Sequence, residues 1–218
     1  ILAAFNEPFH LGAYEHHSTP SIGVALFNDQ PTTLDELLKR ADLAMYQAKA
    51  SGRNTMCFFD PDMQEVVNVR VVLESDLRKG LEKSEFLLHY QPQVDSNGDV
   101  TGVEALVRWQ HSRRGLLPPA EFIPHAEETG LIYPLGHWVL ETACTQLSAW
   151  SARPETAQLN MAINVSPRQF RHPDFVEQVF SALDHTGANP RKLKLELTEN
   201  LLVHNVEDII AKMIVLKT

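Results

Sequence analysis

Three stretches of the chain alternate apolar and polar side chains with a period of two, the spacing of a strand that has two different faces. In 103–109, 159–166 and 193–198 the odd positions are almost all apolar: Val103, Ala105, Val107 and Trp109; Leu159, Met161, Ile163 and Val165; Leu193, Leu195 and Leu197. The even positions carry Glu104 with Arg108, Asn164 with Ser166, and Glu196 with Thr198. One face of each predicted strand therefore seeks a hydrophobic layer while the other presents oxygen ligands. Three such strands, separated by helix-length segments, predict a parallel barrel with a hard divalent cation at the rim where the strands end.

The remaining pattern supplies the elements around them. The apolar run 21–27 predicts a buried strand. Thr33 and Glu36 form a capping-box pattern ahead of the helical stripe Leu34, Leu37, Leu38, Ala41, Met45 and Ala48, with Gly52 placed to end that helix and 56–59 predicting a second strand. Asp60-Pro61-Asp62 then punctuates the chain, and Val66, Val69, Leu73, Leu77 and Leu81 predict a long helix over 63–83. Beyond it strands at 86–94, 100–109, 159–166 and 193–198 alternate with helices near 119–129, 135–150, 175–183 and 208–216. The resulting division is a first region at 1–62, a linker helix at 63–83 and a second region at 84–218. The class is α/β. Four strands cannot close an eight-stranded barrel, so about half of such a barrel is expected outside this sequence.

Composition narrows the function. A formal charge of −9 argues against a general DNA- or RNA-binding surface but is compatible with a small anion held through a metal. Cys57 and Cys144 have no paired Cys/His spacing, which argues against a disulfide framework or a zinc site and fits the reducing cytoplasm. No apolar run approaches the ~18 residues that nominate a membrane span. Because the sequence opens at Ile1 without a methionine, it is expected to be a piece of a longer protein that carries any membrane anchor elsewhere.

Glu104, Asn164 and Glu196 share one strand face and one position along their strands, giving the all-oxygen donor set preferred by Mg²⁺, Mn²⁺ or Ca²⁺ over zinc or copper. Arg108 lies four residues beyond Glu104, roughly 13 Å along an extended strand. It suits a phosphate elsewhere on an elongated substrate, or a rim salt bridge. Gln91, beside Pro92, is a candidate contact to a base or ribose, or a hydrogen-bonding group at the barrel end. Lys49 and Arg53, spaced i and i+4, are expected on one helix face and end, where cationic side chains complement the helix terminus. His16, His17, His89, His111 and His125 show no metal spacing, and Trp109, Trp138 and Trp150 fall on apolar stripes.

Taken in order, Tyr90-Gln91-Pro92, Glu104-Ala105-Leu106-Val107-Arg108-Trp109, residues Pro119 to Glu127, Asn164-Val165-Ser166 and Glu196-Leu197-Thr198-Glu199 resemble the EAL family of cyclic di-GMP phosphodiesterases over roughly 74–218. The resemblance implies a modified (β/α)₈ TIM-type barrel whose first strand is antiparallel to the rest, with Mg²⁺ or Mn²⁺ assisting hydrolysis of cyclic di-GMP to the linear dinucleotide. It implies that Glu104, Asn164 and Glu196 ligate metal, that Arg108 contacts substrate, and that Glu199 holds a loop ordering the metal site and a homodimer surface. A paired-aspartate segment, a lysine and a further glutamate of that family would follow Thr218, so this stretch alone is expected to be inactive. Ser21-Ile22-Gly23-Val24-Ala25, residues Ala41 to Lys49 and Gly52-Arg53-Asn54 resemble the end of a GGDEF, or diguanylate cyclase, domain, implying GTP as a ligand there and Lys49 and Arg53 at a nucleotide's phosphates. A catalytically inactive cyclic di-GMP receptor is the alternative reading.

Overall fold

The computed structural model describes residues 1–5, 7–12, 14–27, 32–197 and 206–217. It forms two compact units, Ile1–Val72 and Leu73–Thr218.

In the first unit a short 3₁₀ turn, Leu2–Phe5, precedes a hairpin of β1 (Phe9–Leu11) and β2 (Tyr14–His16), in which Phe9 pairs with His16. Strand β3 (Ile22–Val24) lies parallel to β4 (Met56–Phe58), and helix α1 (Leu34–Ala50) makes the crossover between them. Gly23 lets the two layers touch, since a Cβ there would overlap the Ala41 carbonyl and the Met45 backbone. Thr33 caps α1 by accepting from the Glu36 amide at 3.2 Å, but only half of the expected capping box is seen. The Glu36 carboxylate instead accepts from Arg40 Nε one turn later, at 3.1 Å.

Helix α2 (Pro61–Glu82) leads into the second unit. Strands β5 (Phe86–Val94) and β6 (Val100–His111) form an antiparallel hairpin, and β7 (Gly115–Leu117) folds back on the end of β6. Helices α3 (Ile123–Thr129) and α4 (Ile132–Ser151) follow, then β8 (Asn160–Val165), α5 (Pro167–Arg171), α6 (Phe175–Thr186), β9 (Leu193–Leu197) and α7 (Val206–Lys217). The strand order is β5-β6-β8-β9. β6, β8 and β9 are parallel and β5, first in that order, runs against them, the arrangement of a partial (β/α)₈ barrel with a reversed first strand. The short β7 and α5 are additions to the expected element list.

Alternation decides where the core sits. Val103, Ala105, Met161, Ile163 and Val165 are buried, packed in one cluster with Val139, Leu140, Ala143 and Leu147 of α4 and Val179, Ala182 and Leu183 of α6. A second cluster gathers around Trp109, which is 0% exposed, joining Leu77 of α2, Phe86, Phe122 and Leu135. Trp109 stacks on Phe86 at 5.4 Å, and its indole Nε1 donates to Glu85 at 3.0 Å. Beyond it, His111 is buried between two elements. Its Nδ1 accepts from the Arg113 and Arg114 amides at 3.1 and 3.3 Å, which leaves Nε2 to donate to Asp76 of α2 at 3.3 Å. Arg113 closes this cluster by donating to the same Asp76 oxygen at 2.7 Å.

Candidate functional site

With the odd positions committed to α4 and α6, the even positions of β6, β8 and β9 face away from that layer. Register then sets which of them meet. Gln91 of β5 lies opposite Glu104 of β6, and Asn164 of β8 lies beside Glu196 of β9. Glu104 is level with Ala162, two residues short of Asn164. That small neighbour leaves its carboxylate room to lean along the strands, and the Asn164 Nδ2 donates to Glu104 Oε1 at 2.5 Å. Gln91, Glu104, Asn164 and Glu196 thus form one polar row across four neighbouring strands, spaced at about 4.8 Å per strand.

The row is open to ligand. Glu104 and Glu196 are half-buried, whereas Gln91 and Asn164 are exposed. Glu196 makes no ion pair among the described residues, and the Asn164 bond engages only its amino group, leaving Oδ1 as a donor atom for a cation. Two carboxylates and an amide oxygen on rigid strands fit a hard divalent ion. Among the described residues there is no group of three or more His, Cys, Asp or Glu side chains arranged for a metal. Any cation here would thus be held through the amide as well as the carboxylates.

Arg108 stands farther along β6, half-buried, opposite Leu87, with Nη1 donating to the Val107 carbonyl at 2.8 Å. Pairing between β6 and β8 stops at Ala105 with Ile163, so the strands part just where Leu106 and Asn164 begin. Into that gap opens a cleft of about 470 Å³, within the usual range for small-molecule sites. Leu106, Ile123, Pro124 and Val139 give it apolar walls, and Asn164 and Ser166 give it a polar edge. Periodicity does not reveal the cleft, because α3 and α4 contribute its walls through side chains that it marks only as core. The Ser166–Gln169 capping box that starts α5 carries a signal in the sequence, the Ser-x-x-Gln spacing of a helix start.

Glu199, with Thr198, lies outside the described residues. Lys49 and Arg53 do not share a helix face. The helix ends at Ala50 with Ser51 as its cap, and Arg53 follows in a left-handed conformation, φ 60°, its amide donating to the Ala48 carbonyl at 3.1 Å. Both side chains are exposed, but the i,i+4 argument for pairing them fails because the chain has already left the helix.

Burial pushes the Cys144 thiol up to about 11, so it is a neutral core group; burial also raises the Tyr90 hydroxyl, which packs edge-on against Trp150 at 5.0 Å. Asp76 moves the other way. Burial works to raise its pKa, but the Arg113 hydrogen bond and charge, with His111 adding to them, hold the carboxyl below its usual range. No helix among the described residues is long and apolar enough to cross a membrane.

Known families match this chain in two stretches. The EAL domain family model matches residues 74–218, and that of the diguanylate cyclase GGDEF domain matches residues 1–55. The bifunctional diguanylate cyclase/cyclic di-GMP phosphodiesterase MucR of Pseudomonas aeruginosa is 40% identical over 208 residues, covering 95% of this chain and 30% of MucR. The cyclic di-GMP phosphodiesterase PdeR of Escherichia coli is 38% identical over 207 residues, covering 95% of this chain and 31% of PdeR. The chain thus spans a little under a third of the length of these curated relatives. The solved MucR phosphodiesterase in complex with cyclic di-GMP has a TM-score of 0.64 at 41% identity, over 66% of this chain and 59% of that one. The polar row and its cleft lie wholly inside the longer match, and the chain belongs to the EAL domain family, with a GGDEF domain match ahead of it.

Proposed function

We propose that the protein is a metal-dependent cyclic di-GMP phosphodiesterase that adds water across one of the two ring phosphodiesters and releases the linear dinucleotide pGpG. The observation that carries this reading is the polar row, in which Glu104, Asn164 and Glu196 occupy three adjacent parallel strands beside an apolar cleft. The names of MucR and PdeR, and the ligand of the solved MucR phosphodiesterase, support the choice of substrate.

In this reading Glu104, Asn164 and Glu196 hold Mg²⁺ or Mn²⁺. Such an ion, when bound, lowers the pKa of water and offsets phosphate charge. Glu104 and Glu196 supply the negative charge that attracts the cation, and Asn164 adds a neutral oxygen between them. Arg108 presents a planar cationic fork to a phosphate or guanine edge, and Gln91 hydrogen-bonds the nucleotide from the opposite strand. The cleft walls of Leu106, Ile123 and Pro124 suit the face of a base, which sheds water on entry. Glu199 would act less directly, helping to hold a loop that orders the metal site and the dimer surface.

The rest of the proposal concerns the whole protein. GTP is the ligand proposed for the GGDEF region, with Lys49 and Arg53 near its phosphates; the EAL region is proposed to form homodimers; and the two free thiols, Cys57 and Cys144, fit a cytoplasmic location. The test is chromatography of cyclic di-GMP incubated with the full-length protein and Mg²⁺ or Mn²⁺, against a chelator control. Chelator-sensitive pGpG supports the enzyme. Tight binding without turnover would replace it with the receptor reading.

A further inference from the structure

Asn164 occupies an unusual place in the sheet. Its strand is paired with β6 only as far as Ile163, so at Asn164 the backbone is held by β9 on one side and is free of β6 on the other. With β9 holding one side, the turn that follows is the other element that fixes it toward Glu104. That turn is closed by a reciprocal pair: Ser166 Oγ accepts from the Gln169 amide at 3.2 Å, and Gln169 Oε1 accepts from the Ser166 amide at 3.3 Å. The remaining end of the Gln169 side chain, Nε2, lies against α4 at Gly136, where a Cβ would overlap it. Gln169 therefore spans from the strand end to the neighbouring helix, and a glycine makes the notch that seats it.

We propose that Gln169 is a positioning residue for the cation site: seated in the Gly136 notch, it fixes the Ser166 turn and so holds the Asn164 amide against Glu104. The proposal rests on the reading of Asn164 as a cation ligand. Groups that orient metal ligands in this way change metal affinity by about 10–100-fold when removed, without touching the ion.

The experiment measures Mn²⁺ binding to the full-length protein directly, from the electron paramagnetic resonance of free Mn²⁺, alongside cyclic di-GMP kinetics. Gln169→Ala and Gly136→Ala should each weaken Mn²⁺ binding about tenfold or more. Gln169→Glu, which rebuilds the capping box, should stay within about threefold of wild type. At saturating Mn²⁺ the KM for cyclic di-GMP should change by no more than about twofold in all three, since the affected contact is upstream of the substrate. A merely structural role would lower thermal stability and leave Mn²⁺ affinity intact. Wild-type affinity in Gln169→Ala, or equal losses in Gln169→Glu and Gln169→Ala, would overturn the proposal. Should Gln169→Ala fail to fold, Gly136→Ala decides the matter, because it displaces only the end of a flexible side chain. A wild-type protein that binds no Mn²⁺ would instead overturn the ligand assignment itself, a distinguishable result.

Discussion

Replacing Trp109 by Phe separates the two faces of β6. The indole is 0% exposed, stacks on Phe86 at 5.4 Å, meets Phe122 edge-on at 5.8 Å and donates to Glu85 at 3.0 Å. Phenylalanine keeps the stack but loses the donor, a cost of about 1 kcal/mol because half-buried Glu85 can be partly rehydrated. The ring atoms removed add about 1–2 kcal/mol of lost burial and cavity. Their sum, about 2–3 kcal/mol, should lower the melting temperature of the EAL unit by roughly 5–10 °C, measured calorimetrically on the full-length protein. Cyclic di-GMP affinity, measured well below the transition, should remain within about threefold, because Trp109 faces the core while Glu104 and Arg108 face the other side. A folded variant with unchanged stability, or with affinity lost by more than tenfold, would refute this division of the strand.

Two further substitutions probe charge. Asp76 is held below its ordinary pKa in the folded state, so its contribution to stability is present above about pH 4 and is lost as acid protonates it. Urea midpoints of wild type and Asp76→Asn should therefore converge between pH 7 and pH 3; a gap that stays constant or widens on acidification contradicts the Asp76–Arg113–His111 account. Arg108→Lys keeps the charge but not the planar fork, and should lower kcat/KM for cyclic di-GMP about tenfold while Mn²⁺ affinity stays unchanged. Loss of Mn²⁺ binding in that variant would mean that Arg108 belongs to the cation site.

The site's donors were legible in the sequence because a strand's period of two sorts them without any tertiary information: Val103, Ala105 and Val165 on one face imply Glu104 and Asn164 on the other. The reversed first strand came from resemblance, since apolar runs in 86–94 and 100–109 read alike in either direction. What the sequence does not display is stagger. Glu104 is level with Ala162, and only the register shows that its carboxylate must lean toward Asn164. The cleft is invisible for a related reason, since Ile123 and Val139 look like any core residue until the strands part beside them. Lys49 and Arg53 show the opposite failure. Their i,i+4 spacing presumed a helix that stops at Ala50, and the left-handed backbone at Arg53 is set by local turn geometry that spacing does not encode.

The central claim is that β6, β8 and β9 hold one divalent cation between them. A crystal structure of the full-length protein grown with Mn²⁺, with anomalous scattering recorded at the manganese edge, tests it directly. The account predicts an anomalous peak in coordination contact with Glu104, Asn164 Oδ1 and Glu196, lost in Glu104→Gln crystals. A Mn²⁺ peak elsewhere, with those three side chains uncoordinated, would contradict it.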